Sequence, residues 1–143
     1  MTNVGRYPYK LLVKYPHLSQ EDKLVWERFI TKNPTAYNTC DYDFAVGDVS
    51  EHEAEAVKLE IAGAERVNRY RIDVIGYTDT AIHIIEIKKR AGLDTLGEIE
   101  EKTEDYIKEQ KPKLPVVKTI IAGGGTLNIE EKAVGWGINL III

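Results

Sequence analysis

Three residues carry the chemistry open to this sequence: Asp73, Glu86 and Lys88. The last two lie in AIHIIEIKK, residues 81–89, an aliphatic run suited to the middle of a sheet. An isolated charge taken out of water costs several kcal/mol unless it is paired, hydrogen-bonded or bound to a metal. Strand side chains alternate faces, so Glu86 and Lys88 point the same way, about 6.6 Å apart at a rise of about 3.3 Å per residue. The preceding run, RYRIDVIGY at 69–77, has strand character, and Thr78-Asp79-Thr80 reads as a tight turn. A hairpin centred there sets Asp73 directly opposite Glu86. Two facing carboxylates repel one another, and a divalent cation removes the conflict. Hard oxygen ligands that leave positions for water and phosphate suit Mg²⁺ or Mn²⁺, and such an ion can polarise a phosphoryl group. Lys88 is placed to orient a water or to stabilise a pentacovalent transition state.

The elements that must position these side chains follow from periodicity and punctuation. Residues 1–18 read as an irregular N-terminal arm. Ser19 caps a helix over 19–31, with Leu24, Val25, Phe29 and Ile30 at helical spacing, ended before Asn33-Pro34. A strand is expected over 35–46, with Tyr42, Phe44 and Val46 alternating against Asp41, Asp43 and Ala45. A charged, Glu- and Ala-rich excursion fills 47–68. After the hairpin, a helix over 94–110 turns inward Leu96, Ile99, Thr103, Tyr106 and Ile107 and is closed by Pro112 and Pro115. VVKTIIA at 116–122 is a doubly buried strand, expected to pair in parallel with 81–89 through a right-handed crossover. A glycine turn at 123–125, a short helix to about Trp136 and a strand at 138–143 complete the chain. The class is α/β, a mixed sheet flanked by helices.

Asp73, twelve intervening residues and Glu86-Ile87-Lys88, within IDVIG, IIEIKKRAG and LGEIEEKTEDY, resembles the signature of the PD-(D/E)xK nuclease superfamily, and small phage-encoded members in particular. Ile72 stands where that signature has proline. The resemblance covers about 19–143 and implies a restriction-endonuclease-like core of order αβββαβ, followed here by a short helix and a strand. It implies Mg²⁺- or Mn²⁺-dependent hydrolysis of DNA phosphodiester bonds. Asp73 and Glu86 would be metal ligands, the Ile87 carbonyl a further ligand and Lys88 the catalytic lysine. Many members add an acid from the first helix, for which Glu27 is the first candidate and Glu21 and Asp22 follow. Tyr106 and Lys102 occupy the helix region that completes the site in several branches. Lys89, Arg90, Lys111, Lys113 and Lys118 could line a phosphate groove, with Arg66, Arg69 and Arg71 as a second rim. His83 faces away from Glu86 by strand parity.

A chain of 143 residues suits one domain, with the arm at 1–18 and the nuclease-like body at 19–143. There is no apolar run of membrane-spanning length and no signal-like N-terminus, so no membrane partner is expected and the expected place is the cytoplasm, the host's if phage-encoded, or the virion. One cysteine, Cys40, permits neither an internal disulfide nor a Cys-based zinc cluster. The net charge of -4 argues against a protein that coats nucleic acid yet allows a local basic groove. The expected partners are DNA and a second copy of the chain, as a homodimer. The rival reading is a catalytically retired member of the fold, serving as a phage particle component or as a nucleic-acid- or protein-binding module.

Overall fold

A computed structural model describes residues 5–47 and 70–143. Six strands form one mixed sheet in sequential order: β1 (Tyr7–Pro8), β2 (Thr39–Val46), β3 (Tyr70–Tyr77), β4 (Ile82–Lys88), β5 (Val116–Ala122) and β6 (Asn139–Ile142). The first four pair antiparallel, and β4 with β5 and β5 with β6 are parallel. Helix α1 (Gln20–Lys32) lies on one face, and α2 (Leu93–Gln110) and α3 (Ile129–Gly135) lie on the other. Among the described residues no helix is long and apolar enough to cross a membrane.

Local chemistry sets the helix ends. The Ser19 hydroxyl accepts the Asp22 amide at 3.1 Å, and the Asn33 amide donates to the Phe29 carbonyl where α1 stops before Pro34. Lys111, left-handed at φ 46°, closes α2 just before Pro112. Ile107, expected inside, is exposed. The buried stripe of α2 is Thr95, Leu96, Ile99, Thr103 and Tyr106, and Ile107 lies one helical step beyond it.

The N-terminal arm is more ordered than its composition suggests. It adds β1 to the sheet edge and buries Tyr9 and Tyr15 beside α1. Trp26, fully buried, stacks on Phe29 at 5.7 Å, meets Tyr9 and Tyr42 edge-on, and donates its indole N–H to the Tyr42 hydroxyl at 2.9 Å. Gly76 is required at its place because a β-carbon there would stand 2.6 Å from the Tyr37 ring.

The strand expected over 35–46 begins at Thr39, and its alternation breaks. Cys40 and Tyr42 face α1, whereas Phe44 and Val46 face α2. The switch falls at Asp43, whose φ of 51° turns the strand over. Strand β3 switches too: Val74 faces α1, while Ile72 faces α2. Tyr42 pairs with Val74 and Phe44 with Ile72, and no pair forms between Asp43 and Asp73 in between. This fault in the pleat runs across the sheet into the residues described next. The charged excursion, apart from Gly47, lies outside the described residues, as do Arg66 and Arg69.

The aromatic wedge gives a test. Trp26→Ala should lower unfolding free energy in urea by about 3–5 kcal/mol, because both the ring volume and the partner of the Tyr42 hydroxyl are lost. A loss below about 1 kcal/mol would show that α1 does not hold the arm to the sheet.

Candidate active site

The β3–β4 ladder pairs Tyr77 with Ile82 through Val74 with Ile85 and stops there, one residue short of Asp73 and Glu86. Side chains take over. Asp73 Oδ2 accepts the Ile87 amide at 2.9 Å, and the Asp73 amide lies 3.5 Å from Glu86 Oε2. The two acids therefore reach across the gap from neighbouring strands, at the edge of the fault that begins at Asp43. Such distortions commonly lie beside functional sites because they re-aim side chains.

Glu86 is only 1% exposed and points toward α2. Lys102, on that helix, donates to Glu86 Oε1 at 2.9 Å, and its side chain is 11% exposed. Glu98, one turn earlier, lies 4.0 Å from Lys102 and 3.3 Å from the Lys88 ammonium. A ladder of alternating charge thus runs Glu86, Lys102, Glu98, Lys88, with Asp73 a second carboxylate beside Glu86 at its start. Asp22, in the first turn of α1, is within electrostatic reach of both Asp73 and Lys88. Four carboxylates stand against two ammoniums, so the cluster holds surplus negative charge.

That surplus marks the titrations. Burial, and then the neighbouring Asp73, push Glu86 from 4.5 up to about 7, opposed by Lys102. Burial raises Asp73 as well, opposed by the Ile87 amide and Lys102 and reinforced by Asp22. Burial would lower Lys88, but Glu98, Glu86 and Asp73 reverse this and raise it. The site is a partly dehydrated, acid-rich niche in which an added cation would be stabilised.

Asp73, Glu86, the Ile87 backbone and Lys88 are thus brought together. Glu27 is not with them: it accepts the Tyr15 hydroxyl at 2.9 Å. Five residues along a helix turn about 140°, so Asp22, not Glu27, is the α1 acid that faces the cluster. Glu21 lies 3.6 Å from Lys89 instead. Tyr106 packs edge-on against Phe44 at 5.8 Å in the core. His83, on the α1 face, sits between the Tyr37 and Thr119 hydroxyls, and burial lowers its pKa. Cys40 is buried, and burial raises its thiol to about 12. Lys102, which the resemblance placed in the helix region of the site together with Tyr106, does reach it, through its bond to the buried Glu86.

The basic residues divide. Lys118 is bound by Glu100, and Arg71 pairs with Asp43. Lys111 and Lys113 precede Val116, which pairs with Ile82, whereas the site lies at the other end, where Lys88 pairs with Ala122. They belong to the opposite end of the strands. Only Lys89 and Arg90 stay beside the site.

Among the described residues no group of three or more His, Cys, Asp or Glu side chains converges as a metal centre. The donor set is smaller: two apposed carboxylates with backbone oxygen nearby. That set fits Mg²⁺ or Mn²⁺, which bind through one or two carboxylates and take water and phosphate for the rest. Lys102 occupies one Glu86 oxygen and would have to yield or share it.

No protein-family model and no curated protein matches the sequence. The fold is similar to the crystal structure of a protein of unknown function, AF1548, with a TM-score of 0.52 at 15% identity. The match covers 85% of this chain and 55% of the other, so this chain spans about half of that protein's length. The likeness is one of fold.

Because Glu86 holds its proton more tightly folded than unfolded, the native state binds more protons between about pH 4.5 and 7. Stability from this group therefore falls as pH rises through that window. The urea midpoint difference between pH 5 and pH 8 should shrink in Glu86→Gln. An equal difference in both proteins would place the titration elsewhere.

Proposed function

We propose that this chain is a metal-dependent nuclease acting on DNA, built on a restriction-endonuclease-like core. The observation that carries the reading is the apposition of half-buried Asp73 and buried Glu86 with Lys88 beside them, set where the β3–β4 ladder ends. Structural carboxylates have little reason to face each other in a dehydrated niche, whereas phosphoryl chemistry needs an anionic cradle for a cation. The alternation of α1, three antiparallel strands, α2 and a parallel strand supports the core assignment.

The residues divide the work. Asp73 and Glu86 would hold Mg²⁺ or Mn²⁺, with the Ile87 carbonyl as a further donor. Once bound, that ion would polarise the phosphoryl oxygens and neutralise charge that develops on them. Ile87 fixes the Asp73 carboxylate through its amide. Lys88 leaves Glu98 for the phosphate or the attacking water, which its ammonium orients by donating hydrogen bonds. Glu98 and Lys102 pair with Lys88 and Glu86 while no substrate is present. Cutting both strands of a duplex takes two such sites, which a homodimer would supply.

A second reading has its own footing. The Glu86–Lys102 and Lys88–Glu98 pairs satisfy these charges without an ion, as suits a retired site in a particle component or binding module.

The two readings separate in one experiment. Purified protein should nick or cut DNA with Mg²⁺ or Mn²⁺ and not with EDTA, and Lys88→Ala should slow cleavage by about 10²–10⁴-fold. Mn²⁺ should also raise the melting temperature, more at pH 8 than at pH 5.5, because the ligands must be deprotonated. No cleavage of linear, nicked, branched or single-stranded DNA, together with no Mn²⁺-dependent shift, would leave the second reading standing.

A further inference from the structure

A cavity of about 510 Å³ opens at the same end of the sheet as Asp73 and Glu86 but on the α1 face. One wall is the stripe Glu21, Leu24, Val25 and Arg28, spaced to share one side of α1. Lys89 and Arg90, directly after β4, form the second wall, and Gly123 and Gly124, directly after β5, form the floor.

The floor and second wall are tied together. The Gly123 amide donates to the Lys88 carbonyl at 3.1 Å, and the Ala91 amide donates to the Gly124 carbonyl at 2.9 Å. The backbones approach so closely that a β-carbon on Gly123 would lie 3.0 Å from the Lys89 carbonyl oxygen, whereas one on Gly124 would meet no atom within 4 Å. Lys89 and Arg90 are thus held at fixed points along a backbone that also carries Lys88. Lys88 pairs with Glu98 on α2, whereas Lys89 pairs with Glu21 on α1, so Lys88 serves the acid pair and Lys89 this cavity.

The charge is equally specific. Arg28, Lys89 and Arg90 face a single carboxylate, Glu21, in a chain whose net charge is -4. Lys89 lies 3.6 Å from Glu21, and Arg28 donates to the Ile143 carbonyl at 3.3 Å. Among the described residues Arg90 has no ion pair. Surplus cations in a concave wall next to an acid-rich niche suit a polyanion that must pass from one to the other, since the niche itself repels anions until a cation is bound.

We infer that the cavity bounded by Arg28, Lys89, Arg90 and the Gly123–Gly124 turn holds a backbone phosphate of the nucleic acid, away from the scissile bond. This rests on nucleic acid being the substrate of the adjoining acid pair. The cavity fixes the path of the strand: over the end of β4, from the α2 face to the α1 face, with Leu24 as the apolar wall for sugar or base.

The test is anisotropy of a labelled oligonucleotide in EDTA, so that binding is read without cleavage. Arg28→Ala/Arg90→Ala should weaken binding about tenfold and flatten the dependence of log K on log salt by about 0.7–0.9, the value for one phosphate contact. Lysine replacements at both positions should restore most of the slope. Glu21→Gln should tighten binding. The charge-matched control Lys108→Ala/Lys132→Ala, at exposed helix positions, should leave the slope unchanged. All these side chains are at the surface, and thermal melts confirm that the variants fold. A double variant that behaves like the control overturns the inference. So does an NMR titration in which inorganic phosphate shifts the Gly123 and Gly124 amides while the oligonucleotide does not bind. Cleavage in Mg²⁺ is scored separately. Wild type that binds with the full slope but never cuts retires the nuclease reading and keeps this subsite; wild type that cuts while the double variant matches the control does the reverse.

Discussion

The structure turns on one electrostatic constraint: a buried glutamate and a half-buried aspartate from neighbouring strands share one small space. Glu86 cannot ionise there without a cation, and the fold supplies one in Lys102. Removing one partner of such a pair strands a buried charge, so α2 is tied to β4 by this contact as well as by Leu96 and Ile99. The same constraint makes the niche receptive. A divalent ion offers twice the charge of an ammonium without lengthening the side chains that reach it.

Strand geometry explains how the acids come to face each other. The register makes Asp73 and Glu86 a non-hydrogen-bonded pair, since the even residues of β4 turn their backbone groups to β5, and a regular ladder would instead bond the Ile87 amide to β3. Here the pleat turns over at Asp43 and again between Ile72 and Val74, and the β3–β4 pairs cease after Val74 and Ile85. The Asp73 carboxylate then takes the Ile87 amide that the ladder leaves open. The fault costs sheet hydrogen bonds and provides a gap whose width the carboxylates span.

Much of this was legible in the sequence, because Asp73, Glu86 and Lys88 sit in strands of strong β character around a short turn, and hairpin register follows from turn length. The parity of His83, the bounds of β5 and the Ser19 cap were legible for the same reason: each depends on local pattern. What was not legible depends on rotation and on contacts between elements. Glu27 and Asp22 are equally acidic on paper, and only the helix phase, fixed by Trp26 and Phe29 against the sheet, selects Asp22. The reversal at Asp43 leaves no apolar signal, since a positive φ is a property of the folded strand. The basic residues looked like one groove among the lysines, yet Lys111 and Lys113 lie at the far end of the strands, while Arg28, silent in the pattern, joins Lys89 and Arg90.

The most direct measurement of the central claim is the anomalous scattering of crystals grown in Mn²⁺ at pH 8. A manganese peak should lie between the Asp73 and Glu86 carboxylates, with the Lys102 ammonium drawn away from Glu86 Oε1. Crystals in which the Lys102–Glu86 bond persists and no manganese lies between the two acids would contradict it.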